Sequence, residues 1–190
     1  PTPIPRRADC PAGVLAGHAR ARHRAGRRRR NSELARPGRP ARRSGARLAA
    51  TAYSQAGTST TAQNSAATQI AAATAADLEV LNNAEPVGMA IYKVNPSSTD
   101  GAPYGGYPGA NMAGGCTSNC IKFSWNASTQ TFTKTGGSWT NADACGVTVD
   151  SIGVYVQTEH SYISGILGST RDVDGHTVMR LEPLPADQCA

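Results

Sequence analysis

Read for the spacing of apolar side chains, the chain changes character several times. In Cys120–Asn126 the residues Ile121, Phe123 and Trp125 alternate with Lys122 and Ser124, a period of two that predicts a half-buried strand. Gln130–Thr135 sets Thr131, Thr133 and Thr135 against Phe132, and the short Ala127-Ser128-Thr129 link predicts a hairpin with the preceding strand. Met89, Ile91 and Lys93 alternate with Ala90, Tyr92 and Val94, and Asn95-Pro96 ends the run. Val147–His160 alternates Ile152, Val154 and Val156 with Gly153, Tyr155 and Gln157, and His176–Glu182 sets Val178 and Arg180 against Met179 and Leu181 before Pro183. Upstream, Ala46–Gln55 and Thr60–Leu81 are dominated by alanine, contain no proline and are separated by Gly57. They predict two helices, with Ile70, Ala73, Leu78 and Leu81 as an approximate core face and Asn82, Asn83 and Pro86 as the stop. Helices followed by five strands predict an α+β domain with an antiparallel sheet.

Composition divides the chain in two. Fourteen arginines lie between Arg6 and Arg47 against only Asp9 and Glu33, so that segment carries +12; the remaining five basic and eleven acidic residues carry −6. The stated net charge of +6 therefore averages two unlike regions. Pro1, Pro3, Pro5, Pro11, Pro37 and Pro40 break any periodicity, and residues 1–45 read as a disordered basic segment without the apolar stretch of a secretory signal. A second reading is a shift of frame. Each residue from Pro11 to Arg30 can use codons beginning with C or G, and moving one base over Pro11–Gly26 with T in the middle spells Leu, Val, Phe, Met and Ile, a membrane helix.

The acidic part holds Cys116, Cys120, Cys145 and Cys189 in a Thr-, Ser-, Asn- and Gly-rich background. An even set of this kind points to two disulfides and an oxidising compartment, because the paired Cys-x2-Cys knuckles of structural zinc sites are lacking. Three pairings are open. A bridge such as Cys120 to Cys145 would be worth about 3 kcal/mol by the chain-entropy estimate.

Candidate chemistry is sparse. No Gly-x-Ser-x-Gly elbow presents a serine, and Asp100–Gly115 lacks the Gly-x4-Gly-Lys motif of a phosphate loop. His160 and His176 read as strand-end residues, and Asp172 and Asp174 as a turn before the last strand rather than a calcium loop. The glycine-rich stretch Asp100–Gly115, with Tyr104 and Tyr107, is the best candidate for partner contact, and Trp139 a further exposed contact. Trp125 reads as core, and Asn126-Ala127-Ser128 as an accidental match to a glycosylation acceptor. No catalytic residue, cofactor or metal is expected.

Ala41-Arg42-Arg43-Ser44-Gly45-Ala46-Arg47 is similar to the Ala-Ala-Arg-Glu-Gly-Ala-Arg signature of TadE-like proteins of the tight-adherence pilus system. The Ala-rich Thr61–Leu78, then Asp150–Val156, His160-Ser161-Tyr162 and Val178–Pro183, resemble the actinobacterial branch in their order and spacing. The resemblance covers Ala41 to Pro185. It implies a non-catalytic, minor-pilin-like assembly protein of the cell envelope, with an extracytoplasmic domain from residue 46 to 190. Its implied partners are other pilus or secretion-system subunits and, through a helix missing from this sequence, the membrane; no specific nucleic acid is expected. The competing class is a soluble protein that holds polyanions by its arginine segment.

Overall fold

In the computed structural model, residues 39–57, 59–79, 81, 84–139, 142–145, 148–162 and 170–189 are described. The arginine-rich residues 1–38, the expected helix stop at Asn82-Asn83 and the expected strand start at Val147 lie outside them. Two helices, α1 (Arg39–Ala56) and α2 (Thr60–Leu78), precede five strands: β1 (Ala84–Lys93), β2 (Cys120–Asn126), β3 (Thr131–Ser138), β4 (Ser151–Ser161) and β5 (Thr170–Arg180). The strands form one antiparallel sheet in the order β3-β2-β1-β4-β5. The α+β class follows from the sequence as expected, with both helices packed on the sheet.

The helices are held by small residues. Ala46, Ala49, Ala50 and Tyr53 of α1 are buried at helical spacing, and so are Ala66, Ala67, Ile70, Ala71, Ala75 and Leu78 of α2. At Gly45 an added Cβ would lie 2.6 Å from Thr74 Oγ1 of α2 and 3.5 Å from Val154 Cγ1 of β4, so a glycine lets α1, α2 and the sheet meet at one point. Buried hydroxyls are satisfied within their own helix: Ser54 donates to the Ala50 carbonyl (2.7 Å) and Thr74 to that of Ile70 (2.8 Å). Gly57, at φ 54°, turns the chain, and Ser59 caps α2 by accepting from the Ala62 amide at 3.3 Å. Helix α1 starts at Arg39 and not at the expected Ala46, because Pro40 stands in its first turn, where no intrahelical N–H is required.

Register explains which strand residues face the helices. Met89 pairs with Phe123 and Val156, and Ile91 with Ile121 and Val154, so one face carries an unbroken apolar layer. Trp139 completes it, stacked on Tyr53 with ring centroids 4.8 Å apart. The opposite face, with Ala90, Tyr92, Cys120 and Tyr155, forms a second buried cluster beneath the segment between β1 and β2. Strands β1 and β4 are thus buried on both faces at their centres.

Two disulfides join Cys116 to Cys120 and Cys145 to Cys189. The illustrative Cys120–Cys145 bridge is therefore not formed: Cys120 lies with Cys116 on the second face, whereas Cys145 follows the first-face residues Trp139, Ala142 and Ala144. Lys93 and Asp150 form an ion pair at 2.7 Å, and Asp150 also accepts from the Asp143 amide at 2.9 Å. Its own backbone N–H donates to the Asp143 carbonyl, and its carbonyl accepts from Leu181 N–H, both at 2.9 Å. Asp150 so ties the end of β1, the 139–150 segment and the chain after β5 together.

The Cys145–Cys189 bridge spans 44 residues in sequence, which corresponds to about 4 kcal/mol of unfolded-chain entropy. Replacing both cysteines by alanine should lower the denaturation midpoint correspondingly, measured by urea titration with the m-value held as a check on two-state behaviour. Replacing Cys116 and Cys120, only four apart, should cost about 2 kcal/mol on the same scale.

Candidate functional site

The segment expected as an open contact loop, Asp100–Gly115, is part of a longer cover that runs from Asn95 to Asn119 across the second face of the sheet. Asn95 N–H donates to the Ala102 carbonyl (2.9 Å), and Val94 bridges to Pro103, which folds the first part back on itself. Ser98 Oγ donates to Asp100 (2.6 Å) and accepts from the Ala102 amide (2.7 Å). The hydrogen bond from Ser98 holds the exposed Asp100 carboxyl below its ordinary range. Gly105 and Gly115, at φ 78° and 51°, take left-handed conformations where an added Cβ would strike Thr117 and the Tyr107 carbonyl.

Three tyrosines fasten this cover to the strands. Tyr92 of β1 donates to the Gly101 carbonyl (3.1 Å) and Tyr155 of β4 to the Pro108 carbonyl (3.2 Å), while Tyr107 from the cover donates to the carbonyl of Asp100 (3.2 Å). The ring of Tyr107 stacks on Tyr155 (5.6 Å) and on His176 of β5 (4.6 Å) and meets Tyr92 edge-on at 6.2 Å. Met112 enters a gap over Gly88, whose Cβ would lie 2.4 Å from the Met112 Cγ. Gln157 accepts from the Met112 amide (3.3 Å), and Lys122 donates to the carbonyl of Gly114. The Cys116–Cys120 bridge closes the cover onto β2.

These contacts redistribute the expected contact residues. Tyr107 is half-buried and is an anchor of the cover; Tyr104 is half-buried, and its carbonyl accepts from the Thr117 amide at 2.9 Å. Trp139 is 2% exposed on the helix side of the sheet, so it presents no surface to a partner and is not brought together with Tyr104 and Tyr107. Among the residues the cover exposes are Gly109, Ala110, Asn111, Ala113 and Gly114, a knuckle of small residues. Asn111 at φ 53° and Met112 at φ 59° set its shape.

Other readings also shift. His176 lies in the middle of β5, not at a strand end, and Asp172 and Asp174 are strand residues paired with Glu159 and Gln157. His160 does sit near the end of β4. Trp125 is half-buried, edge-on to Phe132 at 5.0 Å, and borders a hollow of about 160 Å³ with Leu78, Leu81 and Pro86. Asn126 is exposed in the β2–β3 turn, its Oδ1 accepting from the Ser128 and Thr129 amides. Among the described residues, no three His, Cys, Asp or Glu side chains converge as metal ligands, and no helix is long and apolar enough to cross a membrane. Compared with protein-family models, with curated proteins and with solved structures, the chain matches none.

Burial, followed by the nearby Asp174 and Asp172 carboxylates, pushes the Tyr155 phenol up to about 12. Unfolded tyrosine ionises near its ordinary value of 10, so between those two values the native chain holds a proton that the unfolded chain has released. Stability should therefore fall as pH rises from about 10 to about 12. Tyr155→Phe should make that slope shallower in pH-dependent urea titrations, the raised Tyr53, Tyr92 and Tyr107 supplying the rest, while costing about 1 kcal/mol at neutral pH for the lost bond to Pro108. In the same region an added Cβ at Gly153 would lie 2.2 Å from Tyr92 Cζ, so Gly153→Ala should cost about 1–3 kcal/mol. Hydrogen exchange should then quicken in residues 95–119 before it does in the helices.

Proposed function

We propose that this domain is a non-catalytic assembly subunit of a bacterial tight-adherence pilus, minor-pilin-like in role and working outside the cytoplasm. The observation that carries the reading is where the residues of the TadE resemblance meet. Gly45 of the signature sits against Val154, within the Asp150–Val156 segment. Leu181, from the closing segment, donates its amide to the Asp150 carbonyl, and Glu182 accepts from Thr51 of α1 at 3.2 Å. Three stretches far apart in sequence, each likened to the same family, thus build one junction between α1, β4 and the chain after β5. Gly45, Val154, Leu181 and Glu182 thereby seat a helix on a sheet. Two disulfides suit a domain that folds where thiols are oxidised.

In this reading the membrane and neighbouring pilus subunits are the partners, and the anchor precedes α1. Deleting the gene in the bacterium that encodes it should abolish or thin the surface filaments seen by negative-stain microscopy, and the wild-type gene should restore them. Unchanged filaments in the deletion strain would sink the proposal. The rival reading, a polyanion binder, draws on the +12 charge before residue 48. It requires that removal of residues 1–38 abolish a salt-dependent retention on heparin that has a counterpart in the cell.

A further inference from the structure

The sheet has two edges, and they differ. Strand β3 is eight residues long, carries Gly136 and Gly137 just before its last residue, Ser138, with Gly137 at φ 81°, and pairs with β2 through a register shift at Lys122/Phe123. Such a bulged, glycine-bent edge is a poor template for a further strand. Strand β5 is eleven residues long and pairs with β4 without a break from Ser151–Arg180 to Ser161–Thr170. Beyond it no further strand is hydrogen-bonded among the described residues.

Charge on β5 is placed unevenly. Asp172 stands directly opposite Glu159 of β4, a like-charge pair on the same face of the sheet, and Asp174 follows two residues on. Both Asp172 and Glu159 are exposed. Arg180 lies at the other end of the strand on that same face, opposite the neutral Ser151. On that face Arg180 is the strand's one cation, at the far end from the acidic pair and available to a second copy running the other way, while Arg171 stands beside Asp172 on the opposite face.

We propose that β5 is a self-association edge, on which a second copy of this chain adds its own β5 antiparallel across a two-fold axis at His176. This register sets Asp172 opposite the second copy's Arg180, and Val173 opposite its Met179, each pair occurring twice. A centre two residues earlier, at Asp174, would instead put two carboxylates face to face. The product is one continuous sheet of ten strands, five from each copy, with the helices of both on the same side. A two-fold arrangement closes on itself and consumes the β5 edge of both copies at once, leaving a β3 edge at each end of the joined sheet. The occupant is a second copy because the strand's charges complement their own reversal.

The test uses two single variants of the full chain, Asp172→Arg and Arg180→Asp, followed by sedimentation over a concentration series. Wild type should dimerise reversibly. Each variant alone should dimerise at least about tenfold more weakly, since opposite charges become like charges at two places. An equimolar mixture of the two should regain wild-type dimerisation, because an arginine at 172 then meets an aspartate at 180 and the native Arg180 meets the native Asp172. A wild-type chain that stays monomeric, charge variants that dimerise as well as wild type, or folded variants whose mixture stays dissociated would each overturn the proposal. Hydrogen exchange on the wild type gives a measurement independent of any substitution: residues 172–180 should gain protection as concentration rises, and protection that ignores concentration would overturn it too.

Discussion

The constraint on which the structure depends is that its two central strands are buried on both faces. A strand in that position needs a cover on each side, and this chain supplies two unlike ones. On one side, α1 and α2 bring alanine and glycine to the sheet, so that backbone approaches backbone and the larger Tyr53, Ile70 and Leu78 fill what remains. On the other side, among the described residues, there is neither an α-helix nor a further strand, only a single 3-10 turn at Ala110–Met112. A segment of glycine, proline and small polar residues lies there, and such a segment has few apolar atoms with which to hold itself down. Its attachment is polar and specific: phenols from below reach carbonyls above, Gln157 takes the Met112 amide, and a disulfide fixes one end.

This asymmetry decides how each half tolerates change. In the helical layer the contact is made by what is missing from the side chains, so enlargement is the damaging substitution, as at Gly45. In the covering segment the contact is made by a few directed groups as well as by close approach at Gly88, Gly115 and Gly153, so truncation is damaging there in addition to enlargement. Asp150 joins the end of β1, the 139–150 segment and the chain after β5 through its side chain and its backbone.

Much of this was readable from residue order, and the failures have physical causes. Cys120–Asn126 was found with its bounds intact because one face is apolar and the other polar, the case in which a period of two is visible. The start of β5 was missed because Asp172, Asp174 and Gly175 have turn chemistry, and only pairing with β4 extends them into a strand. Helix α2 buries Gln63 and Thr74 among alanines, so its inner face carries little contrast in hydropathy; the true stripe runs through Ala66, Ala67 and Ala71, and Ala73 is only half-buried. The glycine-rich segment stands out in the sequence, but nothing local shows that Tyr107 finds its partners, Tyr92, Tyr155 and His176, within the chain. Trp139 carries no local signal of its burial. Its neighbour Tyr53 is far away in sequence and unreadable without the fold.

The two sulfur bridges are also unequally sheltered. Cys116 and Cys120 lie in the second buried cluster, whereas Cys145 and Cys189 are half-buried near the end of the chain. A small thiol reagent diffusing from solvent reaches the outer pair first. Mild reducing conditions should thus open the Cys145–Cys189 bridge before the Cys116–Cys120 bridge that clasps the glycine-rich cover.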